Sequence, residues 1–349
     1  MTQGQTDTIT LLKRALAQDF RLMPIYVPDS PVFLAVAWPT GDGVTGLKPR
    51  LPAGRGLTLQ QGMISAGAEA IELRASLAQR HLPALAELPR VDGYAMASAQ
   101  DQLTEETTLV PAQQVYLDSA AALGEPLVFD ATSTGCAAGP NRSIATATAL
   151  WECVERDAVA LWWHGGLPAG ALSLEMIDQR QPRLFWWLAQ RERSTLLLDL
   201  TTDIDLPVVA AVSANPDGRH VAVGTAARPF VIDAALAAVT EMIQTEVSMD
   251  HARQAQDPEL LCWDAKASIM AQSQFQAFGV KSTLGTDLTR GLADLGHRVL
   301  ALELTLPGDP LPSMRVLVPG LCAMGARIKT KRFQRLCPGN PDPNYPEPF

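Results

Sequence analysis

One stretch, Thr132–Gly166 (TSTGCAAGPNRSIATATALWECVERDAVALWWHGG), constrains the chain more than any other. A loop of small residues, Ser133–Gly139, runs into a long apolar segment that also carries Thr148, Glu152, Glu155, Arg156 and Asp157. On a helix, Thr148, Glu152 and Glu155 stand at i, i+4 and i+7 and share one narrow face. Two acids three residues apart repel by a few tenths of a kcal/mol. Here they are flanked by Leu150, Trp151, Val154, Ala158, Val159, Leu161, Trp162 and Trp163. Burying carboxylates without a cation is costly. Arg156 supplies one positive charge, and a metal ion could supply more. Taken alone, the stretch fits a structural salt bridge equally well.

The same spacing occurs twice more. Behind the turn Gly54-Arg55-Gly56, the helical pattern Leu57–His81 places Ser65, Glu69 and Glu72 at i, i+4 and i+7. In the helical pattern Asp233–Arg253, Ala237, Glu241 and Gln244 do the same. No fixed period links the three, so the chain is not a solenoid. Three such helices point to one polar site, and several carboxylates in one place call for a divalent cation. With Gln and Arg beside them, the guest that fits is a magnesium–nucleotide complex, because Mg²⁺ is usually held by a few carboxylates plus substrate phosphates. The sequence has no P-loop, no Gly-x-Gly-x-x-Gly opening a helix, no His-Glu-x-x-His and no Gly-x-Ser-x-Gly.

Composition narrows the partners. A net charge of −9 argues against nucleic acid, whose phosphates are met by Lys and Arg. The one basic run, Arg327–Arg335, suits nucleotide phosphates or an acidic peptide as well. Five cysteines with no Cys-x-x-Cys pair indicate neither a disulfide framework nor a structural zinc site. Cys136 lacks an adjacent base and reads as a packing residue, as does Cys153. His164 reads as a helix-end residue, and Trp162 and Trp163 as core or interface. Glu246 and Asp250 read as solvated. The N-terminus has no apolar run like a signal peptide, and no stretch approaches the ~20 apolar residues of a membrane span. The expectation is a cytoplasmic protein with no membrane or nucleic-acid partner.

The remaining pattern alternates short strands and helices, as in a mixed α/β (α+β) fold. A helix is expected over Thr8–Asp19 and a strand over Pro31–Trp38. Leu82–Thr107 reads as loop-rich, Thr108–Tyr116 as an edge strand because of Pro111, and Leu127–Asp130 as a short strand. Gly165-Gly166 should end the central helix, and Ser173–Arg180 should be helical. Ser194–Leu200, Pro207–Val212, His220–Gly224, Arg298–Leu306 and Met314–Val318 read as strands. The tail Cys337–Phe349 has five prolines after Cys337 and should be extended.

Four stretches together resemble the YcaO family, in order from about residue 51 to 349. Gly54-Arg55-Gly56 with Ser65-Ala66-Gly67-Ala68-Glu69-Ala70-Ile71-Glu72 is similar to the family's glycine turn and its acidic helix. Ser133–Gly139 with Glu152–Trp163 is similar to its central loop and helix, and Val239–Gln244 to its third helix. Val318-Pro319-Gly320-Leu321 and the proline-rich tail are similar to its C-terminal end. The closest resemblance is to the stand-alone cyclodehydratase subunits of the streptolysin S-like branch, which make thiazole/oxazole-modified peptides such as bacteriocins.

The resemblance implies a YcaO fold over 1–349 as a single domain, with mixed sheets flanked by helices, a divergent part at 1–50 and a non-P-loop site for ATP and Mg²⁺. It implies a cyclodehydratase that forms thiazoline or oxazoline from Cys, Ser or Thr in a ribosomally synthesised precursor peptide. By position, Glu69, Glu72, Glu152 and Glu155 would hold Mg²⁺. Ser65, Thr148, Arg156, Glu241 and Gln244 would face the nucleotide, and Arg55 the phosphates. Pro346, Pro348 and the carboxylate of Phe349 would lie near the reacting peptide. The implied partners are the precursor peptide and a separate E1-like or leader-binding protein, because the first ~50 residues are too few for such a domain. A flavin dehydrogenase in the same complex and a homodimer are compatible with this. Four departures stand out: Leu73 follows Glu72, with Arg74 one step further round; Pro140, with Asn141 after it, takes the place of the family's Asn; Ser143 and Ile144 replace two acids; Arg228-Pro229 replaces a histidine-containing turn. The loss at Ile144 leaves a non-catalytic scaffold as an alternative, and a thioamide-forming YcaO, which sequence does not separate from a cyclodehydratase, is another.

Overall fold

The computed structural model describes residues 3–40, 51–129, 131–258, 261–263, 265, 287–322 and 330–338. The tail residues Pro346, Pro348 and Phe349 lie outside them. The fold is mixed α/β, and the chain divides into two compact units.

The first unit comprises residues 1–26, 33–150 and 296–319. It opens with helix α1 (Gln3–Leu16) and the antiparallel strands β1 (Phe20–Ile25), β2 (Phe33–Pro39) and β3 (Ala53–Gly56). Helix α2 (Leu59–Ser76) packs on this sheet. Thr58 caps α2 by accepting from Gln61 N, while Gln61 Oε1 reaches back to accept from Leu57 N, the residue before the cap. Gly54 is needed for close approach, since a Cβ there would collide with the α2 backbone at Gly62 and Ala66. Leu12, Leu16, Phe20, Leu22, Met63, Ala66, Ala70 and Ile71 form the core below.

A second, six-stranded antiparallel sheet follows in the same unit. It contains β4 (Arg90–Val91), β5 (Tyr94–Asp101), β6 (Thr107–Pro111), β7 (Cys136–Ala138) and the late strands β12 (Leu300–Glu303) and β13 (Ser313–Leu317). Its order is β4-β5-β12-β13-β7, with β6 also paired to β5. The expected edge strand over Thr108–Tyr116 is corrected here: it ends at Pro111 and passes into a turn of helix, α3 (Ala112–Val115), before α4 (Ser119–Leu123). Leu127–Phe129 is not a strand either. Its amides at Val128 and Phe129 are taken by Gln113 Oε1 instead of a neighbouring strand. The stretch expected to be loop-rich contains β5, whose inward side chains are all alanine until Asp101.

Helix α5 (Arg142–Trp163) contributes its first residues to the first unit and Trp151–Trp163 to the second. The second unit, residues 27–32, 151–295 and 320–349, is built on the antiparallel strands β8 (Gly170–Leu172), β9 (Ser194–Asp199), β10 (Val208–Ala214) and β11 (Ala222–Ala227), in the order β11-β10-β9-β8. Helices α6 (Glu175–Asp178), α7 (Pro182–Gln190) and α8 (Val231–Gln254) accompany them. Strands β10 and β11 are buried almost throughout, which explains their unbroken apolar and small-residue text. Helix α8 lies against β11. Gly224 makes that approach possible, because a Cβ there would strike Met242 N and Ala238 O.

Candidate functional site

The second unit gathers four of the expected site residues. Helix α5 presents Glu152, Glu155 and Arg156; helix α8 presents Glu241. Glu155 is buried, and both its oxygens are held by β11: Oε1 accepts from Thr225 Oγ1 at 2.7 Å and Oε2 from Ala227 N at 3.1 Å. The amide of Thr225 donates to Glu241 Oε2 at 3.3 Å. One buried threonine thus ties the carboxylates of two helices to one strand. Arg156 Nε lies 3.6 Å from Glu152 Oε1, one helical turn back. Burial works against the Arg156 charge, but the carboxylates of Glu155, Glu152 and Glu241 outweigh it and raise its pKa well above the ordinary arginine value. Thr148 and Gln244 are half-buried on α5 and α8.

The formal charges of Glu152, Glu155 and Glu241 exceed that of Arg156 by two, which suits a divalent cation with hard oxygen ligands. Each Glu155 oxygen accepts one hydrogen bond and keeps a lone pair for a metal. Among the described residues no group of three or more His, Cys, Asp or Glu is assembled to hold a metal by itself. The donor set therefore fits Mg²⁺ whose shell is completed by phosphate and water oxygens.

In the first unit, Glu69 is exposed and Glu72 half-buried on α2, with half-buried Ser65 one turn before Glu69 and half-buried Arg55 on β3. Arg74 does not substitute for the family's missing arginine. It is buried and donates to Ala15 O, Asp19 Oδ2 and Asp309 Oδ1, tying α2 to the segments around it. Leu73 packs on the core instead. Asn141 is the N-cap of α5: its Oδ1 accepts from Ile144 N at 2.9 Å, and its carbonyl from Ala145 N. Arg142 pairs with Glu303 at 2.8 Å, and Ile144 is 47% exposed. The residues replacing the two acids therefore form an ordinary helix start.

Two readings from sequence change with the structure in hand, and one residue gains a role. Glu246 is not solvated; it is paired with Arg191 and Arg193 and accepts from Ser213 Oγ. Arg332, within the basic run, is buried and joined to Asp157 and Asp203, so it serves the fold rather than a ligand. Asp157, which spacing gave no role, is the buried acceptor for Arg332 Nε and Cys322 N. An acid inside an otherwise apolar helical run was its signal in the sequence. Trp162 and Trp163 are core residues, as expected.

The comparisons agree with this architecture. A family model described as YcaO cyclodehydratase, ATP- and Mg²⁺-binding, matches residues 78–322. The chain belongs to the YcaO family, whose cofactors are ATP and Mg²⁺. The matched stretch includes Thr148, Glu152, Glu155, Arg156, Glu241 and Gln244; Arg55, Ser65, Glu69 and Glu72 precede it.

Among particular proteins, an uncharacterized protein in the tfuA 3′ region of Rhizobium leguminosarum bv. trifolii is 27% identical over 325 residues, 77% of this chain and 76% of that protein. A heterocyclase solved in complex with substrate and cofactor superposes with a TM-score of 0.76 at 19% identity, over 93% of this chain. The match covers 54% of that heterocyclase, so the chain spans about half its length. YcaO from Methanopyrus kandleri, solved with AMPPCP and Mg²⁺, has a TM-score of 0.70 at 21% identity, over 91% of each chain. At these identities the two structures support the fold. No helix among the described residues is long and apolar enough to cross a membrane.

Proposed function

We propose that the chain is an ATP- and Mg²⁺-dependent cyclodehydratase subunit that forms thiazoline or oxazoline in a ribosomally synthesised precursor peptide, with residues 1–349 acting as one functional domain. The observation that carries this reading is that Glu155 of α5 and Glu241 of α8 are both bonded to Thr225 of β11, with the Glu152–Arg156 pair beside Glu155 on α5. The reaction class is attack of a Cys, Ser or Thr side chain on the preceding amide carbonyl, phosphorylation of the amide oxygen by ATP, and loss of phosphate to leave the azoline. An amide oxygen leaves poorly, and phosphorylation removes that barrier. The protein's own task is positioning and charge neutralisation.

In this reading Glu152 and Glu155 are magnesium ligands, and Thr148, Arg156, Glu241 and Gln244 orient the nucleotide. Thr225 and the Ala227 amide hold Glu155 in place. Glu69, Glu72, Ser65 and Arg55 carry the same roles on the sequence resemblance, as do Pro346, Pro348 and Phe349 toward the peptide. The tail begins at a fixed point: Cys337 is buried against Ala160, Leu161, Cys322 and Phe333. A separate leader-binding protein delivers the peptide.

The test mixes purified protein, candidate precursor peptide, candidate partner and Mg-ATP, and reads peptide mass and phosphate. Loss of one water per modified Cys, Ser or Thr with equal phosphate release supports the reading. A mass gain matching oxygen-to-sulfur exchange assigns thioamide formation instead. No binding of Mg-ATP by calorimetry, with complex assembly intact, assigns a scaffold.

A further inference from the structure

Arg156, the expected nucleotide-facing arginine, already lies 3.6 Å from Glu152 and within the field of Glu155 and Glu241. A polyphosphate beside this cluster needs another cation. One follows Ala227, the residue whose amide holds Glu155. The Ala227 amide donates to Glu155 Oε2, and the carbonyl of the same residue accepts from Arg228 Nη1 at 2.7 Å. The guanidinium of Arg228 lies 5.8 Å from the ring centroid of Trp151, the residue preceding Glu152 on α5. Arg228 is half-buried, and among the described residues no carboxylate pairs with it. A guanidinium carries five N–H donors in a planar fork suited to phosphate. Ala227 occupies one, and the indole face fixes the plane by a cation–π contact.

We propose that Arg228 is a phosphate-binding residue of this site, held by the Ala227 carbonyl and Trp151 so that its remaining donors meet the polyphosphate of the nucleotide. The inference rests on the nucleotide reading above. It assigns opposite tasks to two neighbouring groups: the Ala227 amide fixes the carboxylate that takes the metal, and the Arg228 fork takes the anion. Charge and fork geometry both contribute, so lysine should restore only part of the function.

The test is calorimetric titration of the full chain with Mg-ATP and, separately, with adenosine, using wild type, Arg228→Gln and Arg228→Lys. The expected result is Mg-ATP affinity at least about tenfold weaker in Arg228→Gln, partly recovered in Arg228→Lys, and adenosine affinity within about twofold of wild type throughout. Unchanged Mg-ATP binding in Arg228→Gln, or equal loss for ATP and adenosine, overturns the proposal while leaving the nucleotide reading standing. Wild type that binds neither ligand overturns both. Trp151→Leu supplies a second check: it leaves the charge and frees the plane, and Mg-ATP binding should weaken with adenosine binding preserved. Equal weakening of both ligands in this variant contradicts the role given to the indole.

Discussion

Glu155 and Asp157 sit two residues apart on α5, both buried, and are neutralised differently. Asp157 is closed off by Arg332 and the Cys322 amide, a complete ion pair with no place for a ligand. Among the described residues Glu155 accepts from a hydroxyl and an amide, and keeps capacity for a cation. Removing one partner from a buried pair leaves an uncompensated charge, so Asp157→Ala should cost about 3–5 kcal/mol in urea denaturation. Arg332 would still reach Asp203, which places the loss toward the lower end. Cys322 gives a pH test. Burial, and then the Asp157 charge, push its thiol up to about 12, whereas an unfolded cysteine ionises near 8.5. Between those values the folded state binds the extra proton, so stability is full below the lower value and falls as pH rises through the window. Melting curves from about pH 8 to 11 should show that fall in wild type and a smaller one in Cys322→Ala.

The element scale shows why part of the chain was legible. Helices α2, α5 and α8 were readable because their acids recur at helical spacing behind small residues, and β9, β10 and β13 because their apolar text is nearly continuous. Strand β5 was hidden because alanine fills its inward positions and carries little β signal. Leu127–Phe129 misled because three apolar residues suggest a strand, yet here they are 67%, 56% and 40% exposed. Arg74, Arg332 and Glu246 could not be placed from sequence, since their partners are distant in the chain. Two predictions belong to elements. Gly224→Ala should separate α8 from β11 and cost at least about 2 kcal/mol in urea denaturation, weakening Mg-ATP binding with it, because Thr225 and Glu241 flank the contact. Asn141→Ala removes the α5 cap and should cost about 1 kcal/mol, read the same way.

For the molecule as a whole, the proposed function requires α5 and α8 together to hold a metal–nucleotide complex through carboxylates. Family membership supports ATP and Mg²⁺ as cofactors; in the structure Glu152 lies 3.6 Å from Arg156, and Glu155 and Glu241 are tied to β11 through Thr225 and Ala227. A ligand that binds only the folded state raises its melting temperature, so Mg-ATP should stabilise the chain in a concentration-dependent way. The most direct measurement is calorimetric titration of ATP into wild type and Glu152→Gln, each with and without Mg²⁺. Saturable binding that requires Mg²⁺ and weakens at least about tenfold in Glu152→Gln is expected. ATP binding indifferent to both Mg²⁺ and that substitution would contradict it.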